Sequence, residues 1–127
     1  MTARRIDGIL RAGEIQEEAA ARAAGLRARG IVPTLAMMRI GEDPASIVYL
    51  RKKAEASQAV GVATREVILP ADTDPGIARD ALRDLNRDPG VHGILLQLPL
   101  PAAFNATELL DLIDPAKDVD GLHPMNI

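Results

Sequence analysis

Tyr49 and Lys53 lie four residues apart, inside the run Asp43 to Val60, DPASIVYLRKKAEASQAV. On a helix that spacing puts both side chains on one face. Asp43 is a suitable N-cap and Pro44 suits the first helical position. Gly61 can close the far end with a left-handed backbone. Ala45, Ala56 and Val60 share the stripe of Tyr49 and Lys53, while Arg51, Glu55 and Gln58 point roughly the opposite way. The pattern places an ammonium among apolar neighbours, beside the single tyrosine of the chain. A lysine held against apolar surface has a lowered pKa and can exchange protons near neutrality. The commoner fate of a lysine on a mixed stripe is to carry its charge out to water.

A second candidate is Gln97, an amide among Ile94, Leu95, Leu96, Leu98 and Leu100. A buried amide must find partners, either a nearby backbone group or a functional one such as Lys53 or a ligand. A third is the acidic stretch holding Asp114, Asp118 and Asp120 with Lys117 among them. Such charges usually cap turns or stay solvated. A carboxylate beside Gly121 could instead accept N–H groups of a ligand. No histidine spacing supports a metal there, and no metal is expected. His92 and His123 read as structural. Neither a phosphate-binding glycine loop nor GxGxxG occurs in the chain.

These residues need a frame. Arg4–Gly8 is ambiguous and could be a short edge strand. A helix follows over about Ile9–Ala28, with Ile15, Ala19, Ala23 and Leu26 on one stripe and Gly30 as its stop. Thr34–Ile40 is a short apolar run between Pro33 and Gly41, as expected of a strand covered on both faces. After the Tyr49/Lys53 helix come a strand at Ala63–Leu69 and a helix opened by Asp74 and Pro75, with Ile77, Ala78, Ala81, Leu82 and Leu85 facing inward. A third strand is expected over Gly93–Leu98, ended by Pro99 and Pro101, which lack donors. Asn105 and Glu108 resemble a capping box for a helix running to Ile113. Asp114–Ile127 reads as loop. Alternating helices and strands predict an α/β domain, three-layer α/β/α with a mostly parallel sheet. On this frame Lys53 lies roughly 13 Å along its helix from Pro44. A helix flat on the sheet would carry it away from the carboxyl edge where Gln97 ends.

Length and composition bound the function. The 127 residues suit one domain, and 47% hydrophobic with 26% charged residues is globular composition. No apolar run approaches the roughly 20 residues that span a bilayer, and no signal peptide is read, so no membrane association is expected. The chain has no cysteine, which removes thiolate chemistry and fits a cytoplasmic location. A net charge of −3 and only two aromatic residues argue against nucleic acid as a partner.

Three separated pieces, DPASIVYLRKK (Asp43–Lys53), VHGILLQLPLP (Val91–Pro101) and DPAKDVDGLHP (Asp114–Pro124), resemble the N-terminal catalytic domain of the bifunctional methylenetetrahydrofolate dehydrogenase/cyclohydrolase family. Fainter matches at RIDGILRAGEI and PTLAMMRIGEDP extend the resemblance over nearly the whole chain. The resemblance implies that Tyr49 packs on the folate ring system and that Lys53 handles proton transfer. It implies that Gln97 sits beside Lys53, that Asp120 binds the pterin donors, and that Leu98, Pro99, Leu100 and Pro101 shape the folate pocket. It further implies a second, Rossmann-type domain after residue 127 that binds NADP, and a homodimer of the full-length parent. Glu55 departs from the pattern, since a basic residue commonly stands two after the lysine. Arg39 departs as well, replacing a frequently aliphatic strand residue. The alternative function is a non-catalytic folate-binding or partner-binding module. Folate binding together with a hydrolysis assay separates the two.

Overall fold

The computed structural model describes residues 8–121. Helix α1 spans Gly8–Ala28, strand β1 Thr34–Ile40, α2 Pro44–Ala59, β2 Ala63–Leu69, α3 Pro75–Arg87, β3 Gly93–Leu96 and α4 Ala106–Leu112. Among the described residues the sheet has three strands in the order β2-β1-β3. All pairings are parallel: Thr34 aligns with Ala63, and Leu35 with Gly93. The chain therefore steps from β1 to β2 on one side and returns past β1 to reach β3.

Side chains alternate across β1 because successive Cβ atoms of a strand point to opposite faces. Ala36, Met38 and Ile40 join Ala78, Leu82 and Leu85 of α3, with Ile94, Leu96, Phe104, Leu109 and Ile113, in the larger core. Met37 packs with Leu50 and Ala54 of α2 and with Leu95 in a smaller core on the opposite face. The sheet thus has α3 and α4 on one side and α2 on the other, the three-layer α/β arrangement expected. The carboxyl ends of β1 and β3, whose connections leave toward opposite faces, form the topological switch point where open α/β sheets bind ligands.

Local chemistry accounts for the helix ends. The Asp43 carboxylate accepts from the Ser46 N–H and the Asp74 carboxylate from the Gly76 N–H, each beside a proline in the first turn. Gly30 (φ 79°) and Gly61 (φ 87°) take the left-handed conformation after α1 and α2, which favours glycine. Asn105 caps α4 through the Glu108 N–H, but the Glu108 side chain turns away to Arg79, so only half of the expected capping box forms.

Several expectations are corrected. On α2 the buried residues are Ser46, Leu50 and Ala54, one position along from the anticipated stripe, and Ala45, Tyr49, Lys53 and Ala56 are exposed. The helix turns its Leu50 to the sheet because that side chain gains most from leaving water. On α1 only Ala23 is buried, and Ile15 stays 51% exposed. The helix meets the domain through its last turns, where Ala23 lies near Gly61 and the Arg27 Nε–H donates to the Gly61 carbonyl at 2.9 Å. Ile77 of α3 is exposed rather than inward. Strand β3 ends at Leu96 instead of Leu98, although the Gln97 N–H still donates to the Met38 carbonyl at 2.9 Å. Beyond it Pro99 has no donor to continue the ladder. The edge strand considered at Arg4–Gly8 lies outside the described residues apart from Gly8, which opens α1.

The terminal stretch is more than a loop. The Ile94 N–H donates to the Lys117 carbonyl at 2.7 Å, and Asp118 forms a parallel bridge with Ile94 on the outer edge of β3. Gly93 makes this approach possible, because a Cβ there would lie 2.6 Å from Val119 Cγ1. The Lys117 ammonium donates to the carbonyls of Leu85, Asn86 and Asp88, at 3.1, 2.8 and 2.8 Å, closing the C-terminal end of α3. Asn86 reaches across as well, donating to the Leu112 carbonyl and accepting from the Asp114 N–H.

At the same corner Arg65 donates to the Asp88 carboxylate at 2.6 Å. That hydrogen bond, and then the one from the Gly90 N–H, hold the carboxyl below the ordinary aspartate value of 3.8. A depressed folded pKa contributes stability that is present above the unfolded value and lost as pH falls through the folded one. The melting temperature is therefore expected to decline as pH drops below about 4, and Arg65→Gln should make that decline shallower. Equal acid slopes for the two proteins in a thermal titration would refute this role for the pair.

Candidate active site

Lys53 and Gln97 meet. The Lys53 ammonium donates to Gln97 Oε1 at 3.1 Å, joining α2 to the carboxyl end of β3 across 44 positions of sequence. Helix geometry supplies the reach that the distance along α2 appeared to deny. Side chains on a helix lean toward its N-terminus, here the end at the carboxyl edge of the sheet. Gln97 shares the sheet face of Leu95 and therefore points toward α2.

Gln97 is 8% exposed, and both ends of its amide are used. Its oxygen accepts from Lys53 and its Nε2 donates to the Leu98 carbonyl at 3.0 Å. The two partners weighed for a buried amide are thus present together. Lys53 itself is exposed, so its surroundings are solvent and an amide oxygen, not the apolar stripe expected. Tyr49 stands one turn before it on the same face, 55% exposed.

Leu98 to Pro101 follow directly. The Leu98–Pro99 peptide is cis. Pro99, Leu100 and Pro101 line an open cavity of about 200 Å³ with Ile40, Gly41, Glu42, Asp43 and Ala71. It lies between the carboxyl end of β1, the segment after β2 and the segment after β3, with neither Lys53 nor Gln97 in its wall. Arg39, half-buried near the end of β1, donates to the Gly41 carbonyl.

Asp120 is exposed, and among the described residues no hydrogen bond or ion pair joins it to Lys53, Gln97 or Tyr49. The parallel bridge aims its segment along β3 toward the carboxyl edge that carries Gln97. His92 has a structural role: its Nδ1 accepts from the Thr34 N–H at 3.1 Å. His123 lies outside the described residues. Among the described residues no group of three or more His, Cys, Asp or Glu is disposed to hold a metal, and no helix is long and apolar enough to cross a membrane.

Two residues escaped sequence reasoning. Ser46, 2% exposed, donates from its Oγ toward Asp43 Oδ2 at 2.9 Å and the Leu98 carbonyl at 3.3 Å. Its one legible mark was its place three residues after the cap. Lys117 was visible only as a charge among aspartates, because its acceptors lie on another helix about 30 residues back.

A doubly wound α/β domain with a lysine–amide pair at its switch point is a catalytic or ligand-binding domain by architecture. Residues 6–120 match the family described as tetrahydrofolate dehydrogenase/cyclohydrolase, catalytic domain, and the chain belongs to that family. It is 47% identical over 127 residues to the bifunctional protein FolD of Azoarcus sp. (strain BH72), covering all of this chain and 44% of that protein. It is 50% identical over 127 residues to the FolD of Afipia carboxidovorans, covering 99% of this chain and 43% of that protein. Among solved structures, the bifunctional FolD of Campylobacter jejuni aligns with a TM-score of 0.88 at 36% identity, over 90% of this chain and 40% of its own. The Trypanosoma brucei dehydrogenase-cyclohydrolase, complexed with NADP and an inhibitor, aligns with a TM-score of 0.86 at 34% identity, over 98% of this chain and 43% of its own. The chain thus spans under half the length of these relatives.

Proposed function

We propose that this chain is the folate-handling domain of a methylenetetrahydrofolate dehydrogenase/methenyltetrahydrofolate cyclohydrolase, with Lys53 as its acid–base group. The observation that carries the proposal is the hydrogen bond between Lys53 and Gln97 at the switch point of the sheet. In the hydrolytic step the oxygen of water adds to the methenyl carbon and one of its protons passes to the Lys53 amine. The resulting ammonium protonates the departing nitrogen as one carbon–nitrogen bond breaks, and the adduct's hydroxyl proton leaves to water, so that a formyl group remains on the other nitrogen. Gln97 Oε1 holds the Lys53 nitrogen in place by accepting one of its N–H groups. Tyr49, beside Lys53 on the open face of α2, offers a ring for the pterin to pack on. Asp120 supplies the acceptor for the pterin N–H groups, and Leu98, Pro99, Leu100 and Pro101 form the wall.

The described residues do not fit NADP. The N-termini of α2 and α3 stand at the ends of strands, where a pyrophosphate would dock, but each is already capped by a carboxylate, Asp43 accepting from the Ser46 N–H and Asp74 from the Gly76 N–H. A dianionic linker would meet like charge there. We assign the nicotinamide cofactor, and the hydride step with it, to a further domain of a longer protein, whose homodimer belongs to the same proposal.

Calorimetric titration with tetrahydrofolate and a methenyltetrahydrofolate hydrolysis assay test this on one preparation. Folate binding and slow hydrolysis are expected, with no heat from NADP. Folate binding without any hydrolysis would favour the non-catalytic folate-binding module, and no folate binding would leave only its partner-binding form.

A further inference from the structure

We infer that Ser46 is a positioning residue, which acts through the Leu98 carbonyl to hold the Gln97 amide with its oxygen toward Lys53. An amide has two ends of similar shape, and nothing in the shape alone decides which faces Lys53. An ammonium can only donate, so the pair works when Oε1 is presented and fails when Nε2 is. The choice is made on the far side of the amide. Nε2 donates to the Leu98 carbonyl at 3.0 Å, an acceptor that would repel Oε1 in the flipped state. That carbonyl accepts a second time, from Ser46 Oγ at 3.3 Å.

Ser46 is well placed to fix it. The residue is 2% exposed on the packed face of α2, two turns before Lys53. Its Oγ also lies 2.9 Å from Asp43 Oδ2, and the Asp43 carboxylate accepts from the Ser46 N–H at 3.1 Å. One hydroxyl proton is therefore shared between a carboxylate anchored at the helix start and the carbonyl that orients Gln97. The main chain of Gln97 is held separately, by its N–H on the Met38 carbonyl. Loss of the hydroxyl would thus free the Leu98 carbonyl and the amide without releasing the strand. The helix cap itself, from Asp43 to the Ser46 N–H, survives in Ser46→Ala.

The test is nuclear magnetic resonance on this chain, with hydrolysis as a second arm. The wild type should show a scalar coupling across the hydrogen bond from Gln97 Nε2 to the Leu98 carbonyl carbon, and slow exchange of one Gln97 amide proton. Ser46→Ala should lose the coupling and speed that exchange about tenfold, the scale of one hydrogen bond. Gln58, on the same helix and bonded to Thr64 Oγ1 at 3.0 Å, is the control. A merely structural role would disturb Gln58 and Gln97 alike, whereas positioning changes Gln97 alone. Ser46→Thr, which keeps the hydroxyl, should restore the wild-type signals. If alanine prevents folding, Ser46→Cys keeps the shape, weakens the donor and reads the same change. An absent coupling in the wild type, or a Gln97 amide unaltered in Ser46→Ala or Ser46→Cys, overturns the inference.

The activity arm alone rests on the proposed cyclohydrolase function. Hydrolysis by Ser46→Ala should fall about tenfold with its pH profile displaced and its folate affinity kept. Resonance changes as expected on a chain that hydrolyses nothing would refute the proposed function and leave the positioning role standing.

Discussion

Lys53→Met is expected to lower methenyltetrahydrofolate hydrolysis about a hundredfold or more, the usual scale for losing a positioned acid–base group. Methionine keeps much of the stem and removes the charge and every transferable proton. The structure sharpens what else should change. Lys53 is exposed and donates to Oε1 of the buried Gln97, so the substitution removes one hydrogen bond from that amide. Stability should shift by about 1 kcal/mol, the net scale of one hydrogen bond. Folate affinity should hold if Tyr49 and Asp120 carry the ring. Hydride transfer in a longer enzyme should suffer less, since the nicotinamide does that chemistry. Rate, affinity and melting temperature on one purified variant decide it. Near-normal hydrolysis by a well-folded Lys53→Met protein would give the acid–base role to another group.

Lys117→Met should cost about 2–3 kcal/mol of folding free energy, the range for charge-assisted hydrogen bonds left unmade at a helix end. Three carbonyls near the C-terminal end of α3 receive this one ammonium, and the side chain is half-buried, so water replaces it poorly. Urea unfolding of wild type and variant measures the difference. A change under about 0.5 kcal/mol, the surface norm, would show that the three contacts are dispensable. The Lys53–Gln97 bond lies at the other end of the sheet and should persist in the folded fraction.

The two lysines mark how far sequence alone reaches. Strands β1 and β2 have the limits expected of them, because proline and glycine flank short apolar runs and leave few other possibilities. Helices α2 and α3 begin where Asp-Pro says they should. The face of α2 was misassigned by one position: Ala45, Ala56 and Val60 offer so little apolar area that periodicity could not outweigh the single Leu50. Residue types suggest the meeting of Lys53 with Gln97; the distance along α2 opposes it, and the lean of helix side chains toward the N-terminus supplies the missing reach. Ser46 and Lys117 were illegible for a different reason. Their partners are backbone carbonyls, which carry no residue identity, and they lie on other elements.

The strip from Lys117 to Val119 is fastened to β3 through Ile94 and Gly93, and to α3 through the lysine. Asp120 follows it at once. A ligand held by Asp120, as proposed, would be coupled through this strip to the last turn of α3, and the coupling would be reciprocal: order added at one would be felt at the other. For such a ligand, a helix packed on the face of the sheet opposite α2 would be part of its affinity.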